Sequence, residues 1–431
     1  MLALYNLFLP LLLALARIAG IFSQKLRRGL SGRNGLIEHV RSHYAAAQIH
    51  GSRIIIHVAS YGELEQAKPV IAAIRKQYPY VHIHLTFFSP SGYENVIGKY
   101  MEVDYISYSP LDIRSEVSTF LNAVQPDLAL FARYDVWPNM AMELSLRNIP
   151  TILFAATAAE ESRRMMPLVR SLHKAVYNAL TKILVITEAD QARFSALGVD
   201  SQKLAVVGDT RFDQVIARRQ ASVPALLPAK LRESIEDNGT LVFILGSAWP
   251  ADEAVVHATI RSSLDRGDNI LWIIAPHEPD AEHIQPLFET YRSKAIRLST
   301  IESWSGEPII IVDSIGKLFG LYQYADIAMI GGGFSAGLHN VLEAAVWGAA
   351  TIVGPKHQKS SEVQMMIDRL AAFEVSTPRE FEFVFWRMVN DDDLRISTGA
   401  KACAFVEEGQ GATKRILEAI CHEIPPRITR S

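Results

Sequence analysis

Two parallel-sheet α/β domains are what this sequence predicts, and three observations predict them. Continuous apolar runs of strand length alternate with stretches of helical spacing, the pattern of parallel strands buried on both faces. The series of runs starts twice, at Arg53 and again at Thr240. Polar and glycine-rich turns follow the runs directly, where ligands bind in open α/β sheets. The chain has 431 residues, enough for two such domains, and its 49% hydrophobic and 21% charged residues are those of a folded chain. A formal net charge of -3 gives no global argument for nucleic acid. Two cysteines, Cys403 and Cys421, exclude a disulfide framework or a metal knuckle and fit a reducing compartment.

Residues 1–35 stand apart. Leu2 to Phe22 is almost entirely apolar, broken by Pro10 and Arg17, and Lys25, Arg27, Arg28 and Arg33 follow. A cleaved signal peptide carries its charge before the apolar stretch and a small-residue cleavage site after it, and this segment shows neither clearly. The pattern predicts an uncleaved membrane anchor, spanning or lying in the interface, with its basic side cytoplasmic. A buried first helix of a soluble domain is the alternative.

The first domain is expected over 36–217. Arg53–Ser60 reads as a buried strand, and Gly62 and Glu63 open a helix to about Gln77, with Leu64, Ala67, Val70, Ile71 and Ile74 at helical spacing. Val81–Phe88 is the next strand, closed by Ser89-Pro-Ser-Gly92. Asp127–Phe131, Thr151–Ala155, Lys182–Ile186 and a short run before Val207 complete the series. Arg218 to Pro228 opens a linker placed at 218–239. The second domain, 240–431, has runs at Thr240–Leu245, Asn269–Ala275, Pro308–Val312, Ile327–Ile330 and Ala350–Val353. Its last helix is a candidate to pack back on the first domain. Two such domains with a cleft between them suggest a nucleotide-sugar glycosyltransferase architecture.

The most informative stretch is Asp326 to Ala345. It reads as a strand, a turn through Gly331, Gly332 and Gly333, then a helix opening near His339 and Asn340. Such a turn lets backbone N–H groups approach a phosphate, and Glu343 falls where a carboxylate reaches ribose hydroxyls. A purely structural turn is the competing reading. The spacing is not the dinucleotide fingerprint. Glu63 stands at a helix start behind a strand. It is either a first-turn acid favoured by the helix dipole or a general base, ionised because the helix N-terminus lowers its pKa. Arg211 has the fork that a phosphate or carboxylate needs, or pairs with Asp209 or Asp213. Ser247 follows a strand and can meet a phosphate, while Asp252 and Glu253 read as first-turn acids. Pro276, His277 and Glu278 occupy another strand end, with His277 as a base or phosphate contact and Glu278 as a cap. His82 and His84 share one strand face without evident partners and read as structural; no metal-ligand spacing, Walker, zincin or nucleophile-elbow motif is present.

Together these elements resemble the 3-deoxy-D-manno-octulosonic acid (Kdo) transferases. The resemblance runs over nearly the whole chain: the apolar N-terminus, Ala59-Ser60-Tyr61-Gly62-Glu63, Thr86 to Gly92, Trp137-Pro138-Asn139, Gly208 to Asp213, Gly246-Ser247, and the Gly331 to Glu343 element. It implies a GT-B fold with an interdomain cleft that closes on the donor. It implies CMP-Kdo as donor, a lipid A precursor as acceptor, inversion at the anomeric carbon, and residence at the cytoplasmic side of a bacterial inner membrane. It assigns Glu63 as the base. Arg211, Ser247, Pro276, His277, Gly331, Gly332, Gly333, His339, Asn340 and Glu343 are placed at the donor, and Ser60, Gly62, Ser89, Ser91, Gly92 and Asp135 at the acceptor. No cofactor or metal is implied, since a phosphate leaving group held by amides and an arginine needs no protonation. The basic residues after the anchor are expected to meet anionic lipids or acceptor phosphates, or to act only as a topology signal. The sequence departs from the family pattern at Arg133-Tyr134-Asp135, where Asp135 alone keeps an acid, and from Ala155 to Glu160, which lacks an arginine. A UDP-sugar transferase or epimerase of the same fold is one competing reading, and a membrane-anchored binding protein without catalysis is the other.

Overall fold

The computed structural model describes residues 1–133, 135–158, 167–221, 224–335, 337–358 and 360–424. The departures at Tyr134 and at 159–160 lie outside them. The chain divides into two compact units, Met1–Gln214 with the stretch from Gln410, and Val215–Gly409.

The first unit holds a parallel sheet of seven strands: β1 (Arg53–Val58), β2 (His82–Phe87), β3 (Tyr105–Tyr108), β4 (Leu128–Ala132), β5 (Thr151–Ala156), β6 (Lys182–Val185) and β7 (Leu204–Val206). Their spatial order is β3-β2-β1-β4-β5-β6-β7. The order reverses between β1 and β4, so the crevice beyond the carboxyl ends of these two strands is the topological switch point. Every residue of β2, β4 and β5 is buried, which explains why β4 and β5 run almost wholly apolar, while β2 alternates and buries His82, His84 and Thr86 as polar groups. Helix Ala412–Ile420 packs on helix Tyr61–Gln77, and its Ile416 and Ile420 join the core around Val70 and Ile71. Asp213 caps that returning helix, accepting from the N–H groups of Gly411 and Thr413 at 2.6 Å each.

The second unit repeats the plan with β8 (Leu241–Ala248), β9 (Ile270–Pro276), β10 (Ala295–Arg297), β11 (Ile309–Ile311), β12 (Ile327–Ile330), β13 (Ala350–Val353) and β14 (Ala372–Glu374). The order is β10-β11-β9-β8-β12-β13-β14, with the reversal between β8 and β12. The stretch read as a linker begins inside a helix, Thr210–Gln220, and a second helix occupies Ala229–Asp237. Arg218 and Arg219 extend the first helix because each finds a carboxylate, Glu343 at 2.8 Å and Glu407 at 3.0 Å.

The apolar N-terminus is one helix, Leu2–Phe22, followed by helices Gln24–Ser31 and Leu36–Ala46. His82 and His84, read from the sequence as lacking partners, have them. His43 Nε2 lies 3.2 Å from His82 Nε2, and His84 stands between Ser107 Oγ at 2.8 Å and Tyr44 OH at 3.3 Å. Burial depresses the pKa of all three histidines, that of His82 to about 4, so they are neutral packing groups.

Candidate active site

In the first unit the site grows from the end of β1. The chain leaves the sheet at Ala59 and Ser60 and enters helix Tyr61–Gln77, where Glu63 takes the third helical position and reaches back to accept the Ala59 N–H. Only 4% of Glu63 is exposed. Burial raises its pKa; the Ala59 N–H lowers it in part, Asp135 raises it further, and His57 and Arg133 oppose. This corrects the dipole expectation, because desolvation outweighs the helix end here. Asp135 comes from the end of β4, the other strand of the switch point. His57 Nε2 stands 3.7 Å from Asp135 Oδ2, and His57 Nδ1 is 2.9 Å from Thr86 Oγ1. His57 is buried, and its Nε2 makes no hydrogen bond among the described residues. Beside it a cavity of about 20 Å³ is lined by Thr86, Ser109, Asp112 and Trp137. Sequence reading missed His57; its only signal is a histidine inside an otherwise apolar strand.

The turn after β2 brings Ser89 and Ser91 together, Oγ to Oγ 2.9 Å. Gly92 is buried, and a Cβ there would lie 2.6 Å from the Phe87 ring and 3.2 Å from the Tyr61 nitrogen. Its missing side chain therefore lets helix Pro90–Val96 press on the start of the Glu63 helix. Asn139, at the start of helix Pro138–Leu146, is held by Asp112, whose two oxygens accept the N–H groups of Asn139 and Met140 at 2.9 Å each. Arg211 donates to Asp209 Oδ2 from Nε at 2.8 Å and from its terminal nitrogen at 2.7 Å, the pairing the sequence allowed. Asp213 accepts the Gly411 and Thr413 N–H groups at the helix cap.

In the second unit the site lies at the switch between β8 and β12. Strand β8 runs through Ser247, which has φ +54° beside a register shift against β9. A non-glycine residue held in this region costs about 1–3 kcal/mol and turns its side chain from the regular strand direction. Gly331 passes directly over it. A Cβ at Gly331 would stand 2.2 Å from the Ser247 carbonyl oxygen, which is backbone and cannot yield. Gly331→Ala should therefore cost about 2–3 kcal/mol of stability, a displaced urea midpoint being the readout.

The glycine turn differs from the expected amide cradle. Gly331 donates to Gly246 O, and Gly332 and Phe334 donate to the two oxygens of Asp252 at 2.7 and 3.2 Å. Ser335, Gly337, Leu338 and His339 donate to backbone carbonyls. The amides the turn was expected to offer a phosphate are thus largely engaged internally. The helix behind it is four residues, Leu342–Ala345, and opens two residues later than expected, with the Asn340 side-chain Oδ1 accepting the Leu342 N–H at 3.3 Å. Glu343 is paired with Arg218, which also lies 3.8 Å above the Phe319 ring.

Asp252, read as a plain first-turn acid, is fully buried and also accepts the Trp249 N–H at 2.9 Å. It joins the start of helix Pro250–Arg266 to the glycine turn. The available signal was the third-position acid behind Trp249-Pro250, half of a capping box. Above it, the rings of Trp249, His277 and His339 form a stack, with centroids 4.7 Å apart for the first pair and 4.3 Å for the second. The indole Nε1–H donates to His339 Nε2 at 3.1 Å. Burial, with His277 beside it, lowers the His339 pKa to about 4, so the ring is a neutral acceptor. A histidine depressed in the folded state contributes stability that is complete above 6.5 and lost as pH falls toward 4. Allowing for its partial exposure, His339→Gln should flatten the stability decline between pH 6.5 and 4 by roughly 1–2 kcal/mol, measured by urea unfolding at both ends.

Pro276 ends β9, and the cap of the following helix, Ala281–Tyr291, is Asp280 and not Glu278. Glu278, Asp280 and His283 bring one ligand atom each within 4.8 Å of one another, with Glu278 and Asp280 exposed. His283 Nδ1 lies 2.7 Å from Asp280 Oδ1, so this group works as a helix cap.

Residues 29–214 match the family described as 3-deoxy-D-manno-octulosonic-acid transferase (kdotransferase). The 3-deoxy-D-manno-octulosonic acid transferase of Haemophilus influenzae is 25% identical over 417 residues, 95% of each chain. That of Chlamydophila psittaci is 24% identical over 373 residues, 86% of this chain and 84% of the other. Among solved structures, the UDP-GlcNAc 2-epimerase of Neisseria meningitidis bound to UDP-GlcNAc superposes with a TM-score of 0.61 at 12% identity, covering 86% of this chain and all of the other (100%). An Anabaena protein, Alr3699/HepE in complex with UDP, gives 0.56 at 10% identity, covering 86% and 100%. Two parallel seven-stranded sheets with these likenesses define a GT-B-like protein. Sequence likeness over nearly the full chain narrows the class: the protein belongs to the Kdo transferase family and is a glycosyltransferase.

Proposed function

We propose that the protein moves Kdo from CMP-Kdo to a lipid A precursor during lipopolysaccharide core synthesis, by an inverting displacement with Glu63 as general base. The observation that carries this reading is a buried carboxylate of raised pKa at the strand switch of the first unit, in a chain of this family. A base whose pKa is lifted toward the working pH accepts a proton more readily in the transition state. Oε2 of Glu63 is spent on the Ala59 N–H, which leaves Oε1 to take the proton.

The acceptor hydroxyl oxygen forms a bond to the Kdo anomeric carbon while the bond from that carbon to the CMP phosphate oxygen breaks. The bonding pair leaves on the phosphate, and the hydroxyl proton goes to Glu63. Phosphate charge is met by fixed donors, to which Ser247, His277 and Asn340 are assigned; Arg211 is assigned to the donor's phosphate or Kdo carboxylate. Asp135, Ser60, Ser89 and Ser91, with Gly62 and Gly92 shaping the turns that carry them, are assigned to the acceptor. Pro276, the three glycines, His339 and Glu343 complete the donor side. Helix Leu2–Phe22 is long and apolar enough to cross a membrane, and a lipid acceptor favours placing it at the cytoplasmic face of the inner membrane.

Purified, detergent-solubilised protein incubated with CMP-Kdo and tetra-acylated lipid A precursor should yield product heavier by whole Kdo units in mass spectrometry. Folded protein, intact CMP-Kdo and no mass increment would overturn the proposal; UDP-sugars in the same assay then identify the donor.

A further inference from the structure

Helix Leu2–Phe22 is fastened along the first unit at several points. Tyr5 OH donates to Asp112 Oδ2 at 2.8 Å, and Asn139 donates to Asn6 Oδ1 at 2.7 Å. Leu9 and Gly20 are buried, Gly20 against Arg27 and Leu30 of the next helix, and Arg17 acts electrostatically on Glu116. Contacts near residues 5, 6, 17 and 20 mean that the helix axis runs along the unit's surface. A spanning orientation would have to break the Tyr5 and Asn6 bonds and leave Asp112 without one partner in a poorly solvated place. The opposite face is bare: Leu7, Phe8, Leu11, Leu15 and Ile18 are each more than half exposed, and Phe22 is 88% exposed.

Where this apolar face ends, a pocket of about 400 Å³ opens between the first two helices and the segment around Leu111. Arg17, Arg27 and Arg33 stand on its wall with Ser31 and Asn34, and Glu116 is its one carboxylate among the described residues. Arg33 is committed to the fold, donating to Ser109 O and Phe88 O at 2.9 Å each. Arg17 and Arg27 are exposed. Three arginines against one glutamate leave an excess positive charge next to a surface that only hydrocarbon covers favourably.

We propose that this pocket binds the phosphate of an anionic membrane lipid while the helix lies in the bilayer surface with its bare face immersed. An amphipathic helix in the interface takes its binding strength from buried apolar area plus attraction to anionic lipid, and here one element supplies both. The phosphate sits at headgroup depth and the acyl chains continue along the Ile18 and Phe22 side. This proposal rests on the membrane placement above, and the test separates the two.

Full-length protein is sedimented with vesicles of phosphatidylcholine alone and of phosphatidylcholine with phosphatidylglycerol. Wild type should partition onto both and more strongly onto the anionic ones. Arg17→Gln with Arg27→Gln should weaken anionic partitioning roughly tenfold or more, at about 1 kcal/mol per basic residue near such a surface, and leave neutral partitioning unchanged. Lys25→Gln with Arg28→Gln removes the same charge outside the pocket and should cost clearly less. Equal losses in the two pairs would mean diffuse charge attraction and overturn the pocket. Equal wild-type partitioning onto the two vesicle types, with inorganic phosphate still bound by the protein in solution, would assign the pocket to a free anion and overturn the lipid. Absence of wild-type partitioning onto either vesicle would overturn the membrane placement itself.

Discussion

Replacing Glu63 with Gln is expected to lower kcat for Kdo transfer by roughly 10²–10⁴-fold, the range set by a lost general base. The side chain keeps its shape and one oxygen for the Ala59 N–H, so the turn into the helix should survive. Its stability should be equal or higher at neutral pH. The sign follows from the raised pKa: a carboxyl lifted in the folded state stabilises only below its unfolded pKa, and that stability is lost as pH rises through the folded value. At pH 7 the buried charge is therefore a cost, which the amide removes. A lower rate with an unchanged or higher urea midpoint identifies a catalytic group; parallel loss of both identifies a structural one. In the wild type the same raised pKa should place the acid limb of kcat/KM above the ordinary glutamate range. An acid limb at or below pH 4.5 would contradict Glu63 as the base.

Asp252→Ala is expected to be the most destabilising single change in the second unit, by about 3–5 kcal/mol. Its two oxygens satisfy the N–H groups of Trp249, Gly332 and Phe334 inside a fully buried environment. Each orphaned buried donor costs about 1–3 kcal/mol, and the losses are shared rather than additive. Asp252→Asn keeps one oxygen and should cost less than half as much. Because the glycine turn and the Trp249–His277–His339 stack meet at this carboxylate, binding of CMP should fall with stability. Calorimetry with CMP on the Asn variant separates the effects: unchanged affinity with lowered stability would show that the turn does not shape the donor site.

The expectations that held and those that failed have physical causes. Central strands were legible because both of their faces are buried, so β1, β4, β8 and β12 are nearly continuous apolar runs. The overlooked strands β3, β10 and β14 are sheet edges of three or four residues, with pairing on one side only and less apolar sequence to betray them. Glu63 was visible as an acid behind a strand, but the sign of its pKa shift was not, because desolvation depends on residues distant in sequence. Asp252 was misjudged for a similar reason. First-turn acids are usually exposed, and only the arrival of Gly332 and Phe334 from 80 residues away makes this one a hub. The helix behind the glycine turn was placed two residues early, because its start depends on how the turn folds, with His339 N–H held by Gly331 O and the Asn340 side chain accepting the Leu342 N–H.

The helix that returns from the far end of the chain also bears on how this protein is made. The second unit is one uninterrupted stretch, Val215–Gly409, and can close as soon as it clears the ribosome. The first unit is begun earlier and finished later. Ile416 and Ile420 belong to its core, so the outer side of helix Tyr61–Gln77 stays uncovered until residue 420 has emerged. Synthesis at about 5–20 residues per second makes that a wait of tens of seconds or less, during which an apolar strip is open to chaperones. The usual order, with the amino-terminal domain completed first, is thereby reversed, and a stop codon a few residues before Ala412 would damage the half of the molecule that was translated first.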